Sequence, residues 1–267
     1  MHGMTLNLPP KPKRKIGLRI LSITLFLLII LWAFSGINYL GVMSTAANSI
    51  RGMVNGILNP DIDYITNTTV DGLPYALLET VAIAISGTFV SGILAIPFAL
   101  LASQNIVGEK RAKIGKFIIT MIRTFPELIL ALVFISVVGP GAPAGILALG
   151  IHSIGMLAKL YSESIESMDI GVKEALESCG GNRMEVLFRA VIPQVMPEFM
   201  SYTLFRFEIN MRAASTLGLV GAGGIGAPLI FAIRTRFWER AFTIVIALVI
   251  TVTIIDLISG RIRKKLV

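Results

Sequence analysis

Long apolar runs separated by short polar segments are the feature that most limits how this chain can fold. Several of the runs reach the roughly 20 residues that a helix needs to cross a bilayer. A soluble domain of 267 residues cannot hide that much apolar surface. Charged residues make up only 15% of the chain, against roughly 25% in ordinary soluble domains. The pattern predicts an all-α integral membrane protein and disfavours a soluble enzyme, a disulfide scaffold or a disordered chain.

Hydropathy and the placement of basic residues together predict six membrane crossings with both chain ends in the cytoplasm. The expected spans are about 18–40, 76–103, 117–138, 144–161, 199–225 and 241–258. The N-terminal tail 1–17, the loop before the third span and the C-terminal tail 261–267 are basic and therefore cytoplasmic. The segment 41–74, with one arginine against three aspartates, is predicted to be external. The core transmembrane domain is then 75–260.

The net charge of +8 follows mostly from this topology, so it requires no nucleic-acid partner. One loop breaks the positive-inside rule. Between the fifth and sixth spans, Arg234, Arg236 and Arg240 face a single Glu239 on the predicted outside. These arginines therefore either contradict the predicted topology at this loop or serve a function.

Motifs of enzymatic or cofactor chemistry are weak or missing in the sequence. Residues 221–226 match G-x-G-x-x-G, but they end an apolar span and no strand precedes them. The glycines more plausibly allow a helix break or close helix packing. The chain contains no P-loop, no metal-ligand spacing and no nucleophile beside a base, and its single Cys179 allows no internal disulfide. We therefore expect no catalytic residue, no cofactor and no metal.

The third span carries two charges that are costly inside a bilayer. Arg123 and Glu127 flank Pro126, and a charge in the membrane usually meets a partner or a watery path. Their i, i+4 spacing places them on one helix face, where they can pair. Because Pro126 removes a backbone hydrogen bond, we also expect the helix to kink there.

The fifth span holds a second polar cluster, in which Glu208 and Arg212 again have the i, i+4 spacing of a pair. Two interpretations remain open for both clusters. The charges either lock helices together and reach the cytoplasmic edge, or they line a polar pathway in which arginines would suit an anion. The candidate pathway residues are Arg123, Glu127, Arg206, Glu208, Asn210 and Arg212.

The predicted cytoplasmic loop 162–197 carries the most specific motif of the sequence. Its apolar residues recur at helical spacing, which predicts short amphipathic helices. The motif consists of Glu174, Ala175, Leu176, Gly180, Gly181 and Pro193. This pattern resembles the E-A-A…G…I-x-L-P loop of ABC importer permeases. The sequence departs from it by Leu176 for the second alanine, and by Ala190 and Ile192 for isoleucine and leucine.

The resemblance extends over about 75–263 and is greatest to the phosphonate importer branch, which includes permeases for phosphite and hypophosphite. Arg123-Thr-Phe-Pro-Glu127 and the run Arg-Phe-Glu-x-Asn-x-Arg at 206–212 carry it. The glycine-rich stretch 217–226 is also similar to the methionine-importer branch, which lacks the 206–212 run.

The resemblance implies a type I ABC importer permease fold and a set of partners. Such a permease works as a homodimer in the bilayer, with two ABC ATPase subunits and an external solute-binding protein. The loop at 174–193 would dock into a cleft of the ATPase and transmit its closure to the membrane helices. The permease itself performs no chemistry, since ATP hydrolysis resides on the separate subunit.

The resemblance also gives the external arginines a candidate role. Arg234 and Arg236 would contact acidic residues of the binding protein or attract the anion as it enters. The alternatives are an ABC permease for another small solute such as phosphate or methionine, a stand-alone secondary transporter, and an integral membrane enzyme. A secondary transporter would not need the coupling loop, and an enzyme would need clustered catalytic side chains.

Overall fold

The computed structural model describes residues 16–35 and 40–266, and every regular element in those ranges is a helix. This confirms the predicted all-α class. The helices are α1 (Ile16–Ser35), α2 (Leu40–Leu58), α3 (Ile62–Thr66), α4 (Leu73–Ala102), α5 (Gln104–Val107), α6 (Glu109–Thr124), α7 (Glu127–Val138), α8 (Ala142–Ser167), α9 (Ile170–Ser178), α10 (Arg183–Val186), α11 (Ile192–Gly218), α12 (Gly226–Arg234) and α13 (Trp238–Arg263). Most of the predicted tail 1–17 and four residues of the predicted first span lie outside the described residues.

The chain divides into two compact units between Arg51 and Gly52. Within the first unit, α1 is apolar on all its faces and exposes its large side chains, among them Leu25, Phe26 and Trp32. A helix of this kind is suited to lipid rather than to water. The second unit contains α3 to α13 and the last turns of α2.

Close packing of small residues organises the core of the second unit. Helices α4 and α8 run parallel, and Gly87 of α4 lies directly against Leu149 and Gly150 of α8. A Cβ atom on Gly145 would come within 2.5 Å of the Ala222 carbonyl oxygen. Small residues let helix backbones approach closely and so strengthen van der Waals contact. This contact matters in a membrane because the hydrophobic effect does not drive helices together there. Helix α11 packs antiparallel to this pair and completes the core.

The two ends of this bundle are built differently. At the glycine end, the turn 219–225 folds against α4, and the Ile225 amide donates to Thr80 Oγ1 at 2.8 Å. A Cβ atom on Gly224, whose φ is +75°, would lie 2.7 Å from the same oxygen. The glycines therefore provide both a helix break and close packing, as predicted. At the loop end, α9 and α10 pack against α4 and α8 through Leu176 and Val186.

By length and composition, three helices of the described chain could cross a membrane, namely α4, α8 and α13. Helices α6 and α7 would form a fourth span if the bent pair is counted as one. These four coincide with the predicted second, fourth, sixth and third spans. Helix α11 lies where the fifth span is predicted but carries charged side chains, and α1 lies in the predicted first span. The count of six crossings stays a prediction.

Several helices extend beyond the predicted spans at the loop end. Helix α8 continues to Ser167 and α13 to Arg263, whereas the apolar runs end at about 161 and 258. Hydropathy marks where a helix leaves the hydrocarbon, and polar residues beyond that point can remain helical because they still make backbone hydrogen bonds.

Candidate functional site

Helix α9 of the predicted coupling loop has defined signals at both of its ends. The Asp169 side chain caps its start by accepting from the Gly171 amide at 2.9 Å. At its other end Gly180 has φ +84°, and the Gly181 amide donates to the Leu176 carbonyl at 3.0 Å. Together with the bond from Gly180 to Glu177, this is a Schellman motif. Glycine at position 180 is thus required by a left-handed backbone, which side chains disfavour.

The segment after the two glycines is equally well specified. Asn182 begins α10 with a capping box, because its side chain accepts from the Glu185 amide while Glu185 accepts from the Asn182 amide at 2.8 Å. A π-helical turn over Leu187–Val191 then leads into α11. Pro193 follows this turn directly at the start of α11, and it cannot donate the backbone hydrogen bond that a continuing helix would make there.

One face of this loop is free in the described chain. Glu174 and Ala175 are exposed, as are the apolar side chains of Val172, Met184 and Phe188. Exposed apolar groups on a polar loop are typical of a surface that binds another protein. Of the predicted coupling residues, Glu174, Ala175 and Gly180 are exposed on or just after α9, whereas Leu176 packs toward the core and Pro193 belongs to α11.

Hydrogen bonds join the loop to the ends of the membrane helices. Lys173 Nζ donates to the Asn105 backbone carbonyl at 2.6 Å, and Asn105 Nδ2 donates to the Ile165 carbonyl at 2.6 Å. Glu166 pairs with Lys116 at 2.9 Å. These contacts connect α9 to α5, α6 and α8, so a force applied to α9 would reach the bundle.

The predicted kink at Pro126 is confirmed, since α6 and α7 meet there at 77°. The predicted pairing of Arg123 with Glu127 is wrong, because the two residues lie in different helices on either side of the bend and form no salt bridge among the described residues. The bend frees the Phe125 carbonyl, to which His152 Nδ1 donates at 3.2 Å. His152 is therefore a bundle residue that satisfies the broken backbone.

The predicted pairing of Glu208 with Arg212 is also wrong. Glu208 is buried and binds Arg263 at 2.7 Å, whereas Arg212 is exposed and binds Asp256 at 3.3 Å. Both partners belong to α13, which packs along α11. Either kind of pair neutralises the charge. A partner on another helix also joins α11 to α13, whereas an i, i+4 pair stays on one face of a single helix.

Arg206 and Asn210 meet hydroxyl groups from two other helices. Arg206 Nε donates to Ser153 Oγ at 2.9 Å, and Asn210 Nδ2 donates to Thr88 Oγ1 at 2.8 Å. All four side chains are buried. The candidate pathway residues are thus not one cluster, since Arg123 and Glu127 lie at the bend and Glu208 and Arg212 face α13.

The arginines between α12 and α13 differ in their surroundings. Arg240 binds Asp61 at 3.0 Å, and its guanidinium lies 4.7 Å from the centre of the Tyr64 ring. Burial raises the pKa of the Tyr64 phenol, and the nearby Arg240 charge opposes that rise. Arg234 and Arg236 are exposed. Arg240 is therefore held in a structural ion pair, whereas Arg234 and Arg236 supply the exposed positive charge of this region.

Sequence reasoning missed four partners that complete these contacts, namely Arg263, Asp256, Thr88 and Ser153. Asp256 lies within the predicted sixth span, and a carboxylate in an apolar run was a signal for an intramembrane pair. Thr88 and Ser153 gave no such signal, because single hydroxyls are common in membrane helices and bond to their own backbone.

A comparison with known families identifies the wider group to which this architecture belongs. Residues 95–267 match the model of the binding-protein-dependent transport system inner membrane component. The chain belongs to this family. The matched region runs from the last turns of α4 to residue 267 and contains the predicted coupling loop, the bend and the charged residues of α11.

Individual relatives are similar over most of this permease. The phosphite transport system permease protein PtxC of Stutzerimonas stutzeri is 36% identical over 189 residues, which are 70% of this chain and 69% of PtxC. The phosphate-import permease protein PhnE of Mycolicibacterium smegmatis is 42% identical over 193 residues, which are 72% of this chain and 36% of PhnE. This chain thus spans about a third of the length of PhnE.

A solved structure gives the fold. The permease resembles a chain of the MetNI methionine ABC transporter in an inward-facing conformation, with a TM-score of 0.63. The match covers 73% of this chain and 96% of that chain at 20% identity. The predicted type I ABC importer permease fold is confirmed.

Proposed function

We propose that this permease is the membrane-spanning subunit of an ATP-driven importer for phosphonate or a related phosphorus oxyanion. Its identity of 36% to a phosphite permease and 42% to a phosphate permease supports the substrate class. The observation that carries the ATP-driven mechanism is the exposed helix α9 with its glycine-terminated end. The subunit performs no chemistry, and a separate ABC ATPase supplies the energy.

The proposed coupling runs through α9. Its exposed face, with Glu174 and Ala175, enters a groove on the ATPase, while Leu176 and Lys173 connect the other face to the bundle. Closure of two ATPase subunits around ATP then moves two coupling helices together. One copy offers one such helix and half of a pathway, so the importer contains two copies of this permease.

The proposed orientation puts both chain ends and the loop end in the cytoplasm, and the glycine end outside. An external solute-binding protein then delivers the anion at the glycine end. Arg234 and Arg236 are exposed there and carry no salt bridge within the described residues. They are suited to acidic groups of the binding protein or to an entering anion.

Reconstitution of the full importer tests this function directly. Permease, ATPase and binding protein are placed in liposomes, and uptake is measured for methylphosphonate, phosphite, hypophosphite, phosphate and methionine. We expect uptake of one or more phosphorus compounds, accompanied by stimulated ATP hydrolysis. Uptake of methionine alone would refute the substrate class. Uptake without ATP, on an ion gradient, would identify a secondary transporter.

The arginine contact is tested in the same liposomes. The double variant Arg234→Ala/Arg236→Ala should slow uptake at low salt and differ less from the wild type at high salt, because salt screens exposed charges. Uptake that is unchanged at both salt concentrations would exclude the contact. Lys110→Ala, an exposed charge at the loop end, is the control.

A further inference from the structure

Four polar side chains from α4, α8 and α11 meet near the middle of the bundle. Asn210 Nδ2 lies 2.8 Å from Thr88 Oγ1 and 3.0 Å from Ser153 Oγ. Arg206 Nε lies 2.9 Å from Ser153 Oγ, and Arg206 is only 3% exposed. Thr88 and Ser153 are close to the midpoints of α4 and α8. The Arg206 charge therefore lies deep between two potential membrane spans.

The hydroxyl and amide donors of this cluster all make hydrogen bonds, but the end of the Arg206 guanidinium does not. The Thr88 hydroxyl donates to the Ala84 carbonyl at 2.6 Å, and the Ser153 hydroxyl donates to Asn210 Oδ1 at 3.2 Å. The Asn210 amide donates to Thr88 and Ser153. Arg206 Nη2, in contrast, is buried and has no hydrogen-bond partner among the described residues. A buried charged donor is costly without an acceptor, so the arrangement calls for one.

The other charges of α11 already have partners. Glu208 binds Arg263, and Arg212 binds Asp256. No carboxylate of residues 16–35 and 40–266 forms a salt bridge with Arg206. Glu127, at the start of α7, is close enough for its charge to act on Arg206. It forms no salt bridge with Arg206 in the described chain, so no carboxylate takes the place of the acceptor that Nη2 lacks.

We propose that Arg206 is an oxyanion-binding residue of the permease itself, which takes the oxygens of a tetrahedral phosphorus oxyanion as the anion crosses the bundle. This inference rests on the proposed function and adds that the membrane subunit selects its cargo. A guanidinium stays charged when buried and offers N–H groups in a planar fork that fits such oxygens. Ser153 and Asn210 are positioning residues, because they hold the fork through Nε.

The bend between α6 and α7 provides the way in. His152, which neighbours Ser153, donates to the Phe125 carbonyl at the bend, and Arg123 of α6 lies against Gly155 one turn along α8. We expect an anion to reach Arg206 Nη2 through movement of this corner. An anion could then replace the missing acceptor without breaking a hydrogen bond of the cluster.

Phosphite binding to the purified complex of permease and ATPase, without the binding protein, tests the site. Binding is followed as the rise in unfolding temperature with phosphite, relative to chloride at equal ionic strength. The variants are Arg206→Gln, Arg206→Lys and Asn210→Asp. Lys159→Gln is the matched control, because it removes one positive charge from a half-exposed pair with Glu163 on α8.

We expect Arg206→Gln to raise the half-saturating phosphite concentration roughly tenfold to hundredfold, as for loss of a charged hydrogen bond. Arg206→Lys should fall between it and the wild type, since it keeps the charge and loses the fork. Asn210→Asp gives Arg206 an internal carboxylate at i, i+4. This variant should fold at least as stably as the wild type and bind phosphite weakly, so the test does not depend on folding of Arg206→Gln.

Three results would overturn the proposal. They are wild-type binding in both Arg206→Gln and Asn210→Asp, an equal loss in Lys159→Gln, and no phosphite-dependent shift in the wild type. Uptake by the full importer separates this failure from failure of the proposed function. If the wild type imports phosphorus oxyanions but shows no site at Arg206, the binding site is refuted and the proposed function is supported. If it imports none, the function itself falls.

Discussion

Arg240, in the first turn of α13, has partners that explain why a charge is kept there. Its guanidinium binds Asp61 at 3.0 Å and lies over the rings of Tyr64 and Phe237, at 4.7 Å and 5.0 Å from their centres. The Asp61 amide in turn donates to Thr243 Oγ1 at 2.9 Å. These contacts fasten the segment around α3 to the start of α13.

We predict that Arg240→Gln destabilises the glycine end by about 1–3 kcal/mol, because Asp61 loses a charged hydrogen bond where its side chain is only 11% exposed. Thermal unfolding of the detergent-solubilised complex measures the loss. Arg234→Gln removes the same charge from an exposed position and should leave the unfolding temperature nearly unchanged. Equal stability of the two variants would contradict the structural role of Arg240.

The charged residues of α11 show what the sequence could and could not predict at this scale. Because a charged side chain is costly in a membrane, the sequence correctly indicated that Glu208 and Arg212 need partners. The partners themselves, Arg263 and Asp256, are more than 40 positions away, at sequence separations of 55 and 44. Local spacing carries no information about which faces of α11 and α13 meet, so the i, i+4 prediction failed.

At the scale of elements, the crossing of α11 and α12 depends on backbone contact. A Cβ atom on Gly218 would lie 2.6 Å from the Gly223 carbonyl oxygen and 2.7 Å from Gly226. A Cβ atom on Gly226 would overlap the Ser215 carbonyl oxygen. Backbone atoms cannot move aside as a flexible side chain can, so this crossing requires glycine at both positions.

We predict that Gly226→Ala destabilises the permease by about 1–3 kcal/mol, as expected for an overpacked contact. Gly260→Ala is the matched control, because Gly260 lies in α13 with open space around its Cβ position. That control should be neutral or stabilising by up to about 1 kcal/mol, from helix propensity. Chemical unfolding in detergent compares the two variants, and a stable Gly226→Ala would refute the close crossing.

The end of α9 makes a second prediction at this scale, which rests on the proposed function. Gly180→Asp introduces a side chain at φ +84°, a strain of about 1–2 kcal/mol, and puts a carboxylate on the docking face. The variant should insert into the membrane normally and fail to bind the ATPase. Co-purification of the tagged permease with the ATPase measures this.

Gly108 offers a control for that strain. It lies between α5 and α6 at the same end of the bundle, with φ +81° and open space around its Cβ position. Gly108→Asp therefore introduces the same side chain outside the coupling motif, at a backbone of φ +81° and ψ 161° that side chains disfavour at least as strongly as the left-handed one. We expect it to co-purify with the ATPase. An intact complex with Gly180→Asp would disprove docking through α9.

The elements themselves were largely predictable, for reasons that differ along the chain. Apolar runs located α4, α8 and α13, and Pro126 located the bend between α6 and α7. The loop motif predicted short helices in 162–197, where α9 and α10 lie. The π-helical turn before α11 was not predictable, because nothing in its composition departs from ordinary helix and only the register of the flanking helices requires the extra residue.

At the scale of the whole molecule, the two ends of the bundle suggest different partners. The glycine end is closed by backbone packing and by the Asp61–Arg240 pair. The loop end presents a small helical hairpin with exposed Val172 and Phe188, joined to the bundle through Lys173. In the proposed orientation the packed glycine end is external and the loop end is cytoplasmic, which suits an importer that receives cargo on one side and is driven by an ATPase on the other.

The single cysteine allows the orientation of the whole molecule to be measured without engineering. Cys179 is exposed at the end of α9, and the proposed topology puts it in the cytoplasm. A thiol reagent that cannot cross membranes should leave it unlabelled in intact cells and label it in inverted vesicles. Bound ATPase should slow that labelling, because the docking surface surrounds the thiol.

The reference for this labelling is a cysteine at the opposite end of the bundle. Thr68→Cys in a Cys179→Ser background places the single thiol in the exposed segment before α4, which the topology predicts to be external. It should react in intact cells and be indifferent to the ATPase. Labelling of Cys179 in intact cells would reverse the proposed orientation, since the coupling loop would then face away from ATP. Labelling of Cys179 in inverted vesicles at an equal rate with and without bound ATPase would leave the orientation intact and exclude α9 as the docking element.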